Sequence, residues 1–168
     1  MLRDLQSNYV GKVICVPGII TSTSKTAIRA SRAIYGCKGC GHQLVQEVPF
    51  GLTRAIAPAI CKRVLQSGEK QCPLGSYEMD TDACEYIDQQ IMKLQEAPEL
   101  IPTGEMPRSV LLTVDRELTD KLTPGNRVKI VGILSITKKS QGNADANSNK
   151  QVTNYVQRSY IKVLGMQS

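Results

Sequence analysis

Cys37 and Cys40 are separated by two residues, and Cys61 and Cys72 follow as a looser pair. No other feature restricts this chain's fold as strongly. A C-x-x-C knuckle lets two thiolates approach one ion from a single tight turn, and Gly39 and Gly41 free the backbone to make it. Ten residues separate Cys61 from Cys72, so the second half of the site has to close through a loop. The four cysteines are expected to hold a structural Zn2+. Cys72 ranks first for the fourth ligand, because Cys-Pro-Leu-Gly at 72–75 reads as a turn that aims its thiolate inward. Two alternatives stay open: Cys84, twelve residues beyond Cys72, and His42, the only histidine. Cys15, flanked by Ile14 and Val16, reads as a buried small hydrophobe. Disulfides are the weaker reading, since six cysteines in 168 residues fall short of a disulfide-dense secreted scaffold and no signal peptide precedes the chain.

No run approaches the roughly 20 apolar residues of a membrane span, and the length suits one domain with a small insert. The net charge of +6 is unevenly spread. Residues 1–72 carry ten basic and three acidic side chains, residues 73–105 one and eight, and residues 106–168 ten and four. Two basic blocks around an acidic one suit a face that attracts a polyanion. With no Trp, one Phe and six Tyr, the chain is poor in material for base stacking, so any nucleic-acid binding is expected to rest on phosphates and to be blind to sequence.

Hydrophobic periodicity predicts short strands. Tyr9 to Ile20 reads as a strand kinked at Pro17-Gly18, and Ile28 to Tyr35 as a strand carrying Arg29 and Arg32. Leu44 to Phe50 is a further strand. Ile87 to Gln95 alternates polar and apolar residues, and Glu96 to Pro107, with its prolines, reads as a long ordered loop. Val110 to Val114 is a buried strand, Arg116 to Leu122 at most a short helix, and Thr123 to Asn126 a turn. Arg127 to Ile136 is the clearest strand; a polar stretch from Lys138 to Asn154 then leads back to β structure from Tyr155 to Leu164, the pattern of a long hairpin. Regular short strands favour a small barrel. Catalytic groups are hard to find. There is no G-x-x-x-x-G-K-[ST] and no G-x-S-x-G, and zinc held by four thiolates leaves no position for water. Asp115 with Glu117, and Asp80 with Asp82, read as solvated charge.

Several segments together are similar to one family along nearly the whole chain: Val16-Pro-Gly-Ile-Ile20, the four cysteines, Lys93-Leu-Gln-Glu96, Gly104-Glu-Met-Pro-Arg108, Pro124-Gly-Asn-Arg-Val128 with Val131-Gly-Ile133, and Tyr160-Ile-Lys-Val-Leu-Gly165. They resemble the N-terminal region of the minichromosome maintenance (MCM) subunits of the eukaryotic replicative helicase. The wide Cys61 to Cys72 gap, Cys72 to Tyr77 and Tyr86 to Gln90 narrow the resemblance to one subunit type.

The resemblance implies a mainly β fold: a five-stranded oligonucleotide-binding (OB) barrel with an inserted zinc-binding β subdomain and a long protruding hairpin. Residues 1–35 would begin the barrel, 36–85 form the zinc insert and 86–168 complete the barrel, with the hairpin at about 136–156. It implies a nuclear module that binds single-stranded and double-stranded DNA without sequence preference and assembles with other MCM subunits in a heterohexamer, with subunits two and three as neighbours. Candidate DNA contacts are Arg29, Arg32, Lys138, Lys139 and Lys150. Gly104, Glu105, Met106, Pro107 and Arg108 match a loop that communicates with an ATPase module. The fragment itself is expected to have no catalytic activity, while the parent protein would be an ATP-dependent helicase subunit.

Overall fold

The computed structural model describes residues 2–52, 55–64, 70–137 and 158–167. Among the described residues, eight strands and four short 3-10 turns make up the regular structure, which is mainly β. By contacts it divides into two compact units, one built from residues 1–26 and 89–168 and the other from residues 27–88.

The first unit holds β1 (Val13–Thr23), the greater part of β5 (Glu85–Gln95), β6 (Ser109–Asp115), β7 (Arg127–Ile136) and β8 (Ser159–Gln167). Alternation along these strands sorts the side chains. On β1, Ile14, Val16 and Ile20 point inward; on β5, Met92 and Leu94; on β6, Leu112 and Val114; on β7, Val128, Ile130 and Leu134. With Ile161 and Val163 of β8 they form one apolar core. Truncating a member such as Leu112, which has no exposed surface, would cost about 2–5 kcal/mol. Cys15 does not join this core. It is exposed, because its neighbours Ile14 and Val16 take the inward positions and strand geometry turns the residue between them outward.

Pro17-Gly18 does not interrupt β1, which starts at Val13 and runs on to Thr23; Tyr9 lies earlier, in the 3-10 turn Ser7–Tyr9. The irregularity in β1 falls later, at a register shift between Ile20 and Ser22 in its pairing with β5. β7 and β8 pair antiparallel from Lys129↔Gln167 to Ile136↔Ser159, with a shift between Val131 and Gly132. Gly132 is obligatory there, since a Cβ on it would fall 2.3 Å from the Lys162 carbonyl oxygen.

The five-stranded OB barrel expected from the sequence is corrected by the pairing. The strands run in the order β1-β7-β8-β6-β5-β2-β3, with β4 (Tyr77–Met79) paired to β2 and an additional β1–β5 pairing. This is one mixed eight-stranded sheet, parallel between β6 and β8 and antiparallel in its other described pairings. The five-strand cycle closed by β1 and β5 is part of that sheet and not a barrel. The physical reason is that periodicity and turn signals specify strands but not the edges at which they pair: here β5 pairs with β1 as well as with β6. The tip of the expected hairpin, residues 138–157, lies outside the described residues.

The second unit contains β2 (Ala27–Cys37), β3 (Gln43–Glu47), β4 and the first residues of β5. Its core is small, formed by Ala33, Tyr35, Val48, Tyr77, Cys37 and Cys61. So few apolar side chains are poor support for a unit of this size, and cysteines account for two of the six.

Candidate metal centre

β2 ends at Cys37, and the hairpin to β3 carries the knuckle. Cys37 N donates to the His42 carbonyl at 3.0 Å, and Gly41 N donates to the Cys37 carbonyl at 2.8 Å. The loop folds back through Gly41, whose φ of 70° lies in the left-handed region open to glycine. On its other edge Cys37 pairs with Tyr77 of β4, and Lys38 N donates to the Ser76 carbonyl. The second pair of cysteines is gathered by another backbone bond. Gly75 N donates to the Ala59 carbonyl at 2.8 Å, drawing the segment before Cys61 against the turn that follows Cys72.

The structure thus brings Cys37, Cys40, Cys61 and Cys72 together, with all four Sγ atoms within 4.8 Å of one another. Cys40 Sγ and Cys61 Sγ are 3.7 Å apart. A tetrahedral ion with Zn–S bonds of about 2.3 Å needs sulfurs about 3.8 Å apart, so this donor set fits zinc. The cysteines are all free of disulfides. Gly39 fits between two of them: a Cβ at this position would sit 3.2 Å from Cys72 Sγ and 3.9 Å from Cys37 Sγ.

Electrostatics within the cluster separate the thiols. The Ser76 hydroxyl, 3.2 Å from Cys37 Sγ, helps pull the Cys37 thiol down to about 6. The sulfur of Cys40 and burial push Cys72 up to about 12. An ion that displaces the remaining protons resolves this competition among close thiols. Bound zinc would supply a cross-link between the β2–β3 hairpin, the segment at Cys61 and the turn at Cys72. Four thiolates complete its tetrahedral coordination, which suits a structural role.

Neither alternative fourth ligand belongs to this group. Cys84 Sγ donates to the Asp80 carbonyl at 3.0 Å and accepts from Ile34 N at 3.3 Å. His42 Nδ1 lies 3.0 Å from the Tyr77 hydroxyl, with the two rings edge to face. Sequence reasoning missed Tyr77 and Ser76 as supports of the site. The Tyr77 hydroxyl accepts from Lys62 N at 3.1 Å and lies 3.8 Å from Cys61 Sγ, which fixes the backbone beside that cysteine. Both residues follow the Cys72–Gly75 turn directly, and that proximity was the available signal.

The remaining candidates lie elsewhere. Arg29 Nη1 donates to the Pro49 carbonyl at 2.8 Å, and Arg32 Nη1 pairs with Glu85 Oε1 at 3.1 Å. Lys138, Lys139 and Lys150 lie outside the described residues. The Gly104–Arg108 loop is held by a buried carboxylate. Glu96 Oε2 accepts from Arg108 N, Glu96 N donates to the Arg108 carbonyl, and Arg3 pairs with both Glu96 and Glu105. Met106, in the same loop, is exposed.

The family described as MCM OB domain matches residues 1–138. DNA replication licensing factor mcm5 of Dictyostelium discoideum is 36% identical over 167 residues, 99% of this chain and 21% of its own length. MCM5 of Arabidopsis thaliana is 38% identical over 168 residues, 99% of this chain and 22% of its own length. The Caenorhabditis elegans mcm-5 protein is 37% identical over 166 residues, 98% and 21%. The chain thus spans about one fifth of the length of the curated relatives it matches. With the family match and the cysteine cluster in agreement, the chain belongs to the MCM family, as a homologue of the N-terminal domain of eukaryotic MCM5.

Proposed function

We propose that this chain is the DNA-binding and ring-assembly module of a nuclear MCM helicase subunit, acting in origin licensing and unwinding. The observation that carries this reading is its similarity, over 98–99% of its length, to proteins described as DNA replication licensing factors. In this reading ATP hydrolysis belongs to the remaining four fifths of a full-length relative. Residues 36–85 are the metal-held unit, and the neighbours in a heterohexamer are subunits two and three. The Gly104–Arg108 loop, anchored on Glu96, meets an ATPase module.

Arg29, Arg32, Lys138, Lys139 and Lys150 are the proposed phosphate contacts. Two or three contacts per subunit give a nonspecific affinity of about 10⁻⁴ M at physiological salt, and six tethered copies around one strand turn that into useful avidity. Titrating single-stranded and double-stranded DNA at several salt concentrations tests the reading. Replacing Lys138, Lys139 and Lys150 together lowers the salt slope by up to about three; an unchanged slope removes these lysines from the account.

A second reading, a protein-interaction module without direct DNA contact, is favoured by the engagement of Arg32 with Glu85 and of Arg29 with the Pro49 carbonyl. Capture by neighbouring subunits, with no DNA binding at matched salt, would select it.

A further inference from the structure

The outer face of β1 and β7 is more apolar than a solvated sheet face requires. A half-exposed antiparallel sheet turns polar side chains to water. Here Val13 is 63% exposed and Val131 39%, and Cys15 lies open between Val13 and Pro17. Cys15 is paired with Val131, and Pro17 with Lys129, so these residues stand on adjacent rungs of one face.

At the Pro17–Lys129 rung the face opens into a hollow of about 390 Å³, floored by Pro17, Gly18, Ala97 and Val128. That volume is within the range of sites that accept a compact ligand group. Two cations, Arg127 and Lys129, line it. Arg127 is paired with Glu99 at 2.5 Å, whereas Lys129 has no ion-pair partner among the described residues.

We propose that this face docks an acidic peptide segment of a partner protein. One apolar side chain of the peptide fills the hollow, and its flanking carboxylates meet Lys129 and Arg127. Charge decides between occupants. A second copy of a chain with net charge +6 is disfavoured except through its acidic stretch at residues 73–105, while a separate acidic segment is steered toward the two cations without that opposing net charge. Nucleic acid is disfavoured because the lining by Pro17, Ala97 and Val128 suits a hydrocarbon side chain better than a phosphate or a base edge. Glu99 already occupies Arg127, as an internal carboxylate that shows what the guanidinium accepts.

The test uses the zinc-loaded chain, isotope-labelled, titrated with an acetylated Glu-Leu-Glu amide, its Gln-Leu-Gln counterpart and oligothymidylate. The acidic peptide is expected to shift the amides of Gly18, Val128 and Lys129. Lys129→Glu weakens it about tenfold, and added salt weakens it further. Ala97→Leu, which fills the hollow, abolishes the shifts without unfolding the chain. Equal shifts from the neutral peptide, undiminished binding in Lys129→Glu, or shifts at these amides from oligothymidylate alone would each overturn the proposal.

Discussion

Arg3 Nε lies 3.1 Å from each of the two carboxylate oxygens of Glu96. Their side chains are 16% and 3% exposed, and Glu96 also accepts from Arg108 N. One buried carboxylate therefore joins the first residues of the chain to the end of β5 and to the Gly104–Arg108 loop. Removing a partner from such a pair leaves the other charge buried and uncompensated. Arg3→Ala is expected to lower stability by roughly 3 kcal/mol, measured by urea denaturation. Combining it with Glu96→Leu should recover much of that loss, because the unpaired charge goes too. A double variant less stable than Arg3→Ala alone would show that the carboxylate matters for the loop and not for the pair.

The metal centre makes a second expectation. Elemental analysis should find one zinc per chain, and Cys37→Ser or Cys61→Ser should release it and strongly destabilise residues 27–88, whose apolar core is small. Cys84→Ser should retain zinc, because that sulfur bonds to Asp80 and Ile34. Full zinc occupancy in Cys72→Ser with loss in Cys84→Ser would reverse the ligand assignment.

The sequence revealed these features unequally. Arg127 to Ile136 was read with its observed boundaries, since alternating Val128, Ile130 and Leu134 follow a firm turn signal at Thr123 to Asn126. Cys37 and Cys40 were legible from their spacing alone. Their gathering with Cys61 and Cys72 depends on long-range bonds, Gly75 to Ala59 and Lys38 to Ser76, which no local pattern announces. Cys15 sits in an apolar run that reads as buried throughout, yet strand parity turns it outward. The same parity points to Glu96: one residue past the end of β5, it continues the inward alternation of Met92 and Leu94 and is buried, where a carboxylate requires a partner. The barrel expectation failed for a different reason, because strand length and periodicity do not specify which edges remain available for pairing.

Acidity within the metal-free cluster predicts a pH optimum. Cys37 falls from the ordinary 9.0 to about 6 in the folded chain. Between those values the unfolded chain binds the additional proton, so stability rises with pH and is lost as pH drops through about 6. Cys72 rises from 9.0 to about 12, so above 9.0 the folded chain retains a proton that the unfolded chain has released, and stability falls. Metal-free residues 27–88 should therefore be most stable near pH 9. Denaturation across this pH range in the presence of a chelator checks this, and stability that climbs steadily from about 6 to about 12 would reverse the assignment.

Tyr77 tests whether the polar surroundings of the cysteines set metal affinity. Its hydroxyl accepts from Lys62 N, contacts Cys61 Sγ and lies beside His42 Nδ1. Tyr77→Phe retains the ring that packs in the small core of this unit but leaves Lys62 N without its acceptor. Partners of this kind typically contribute 10–100-fold to metal affinity. Competition with a chromophoric chelator should therefore show zinc affinity lowered by about that factor, with the β-sheet circular dichroism of the zinc-loaded protein unchanged. His42→Ala keeps the Lys62 and Cys61 contacts and should have a smaller effect. If His42→Ala lowered affinity more than Tyr77→Phe, control would pass to the imidazole, and the ring contact rather than the hydroxyl would be what orders the segment at Cys61.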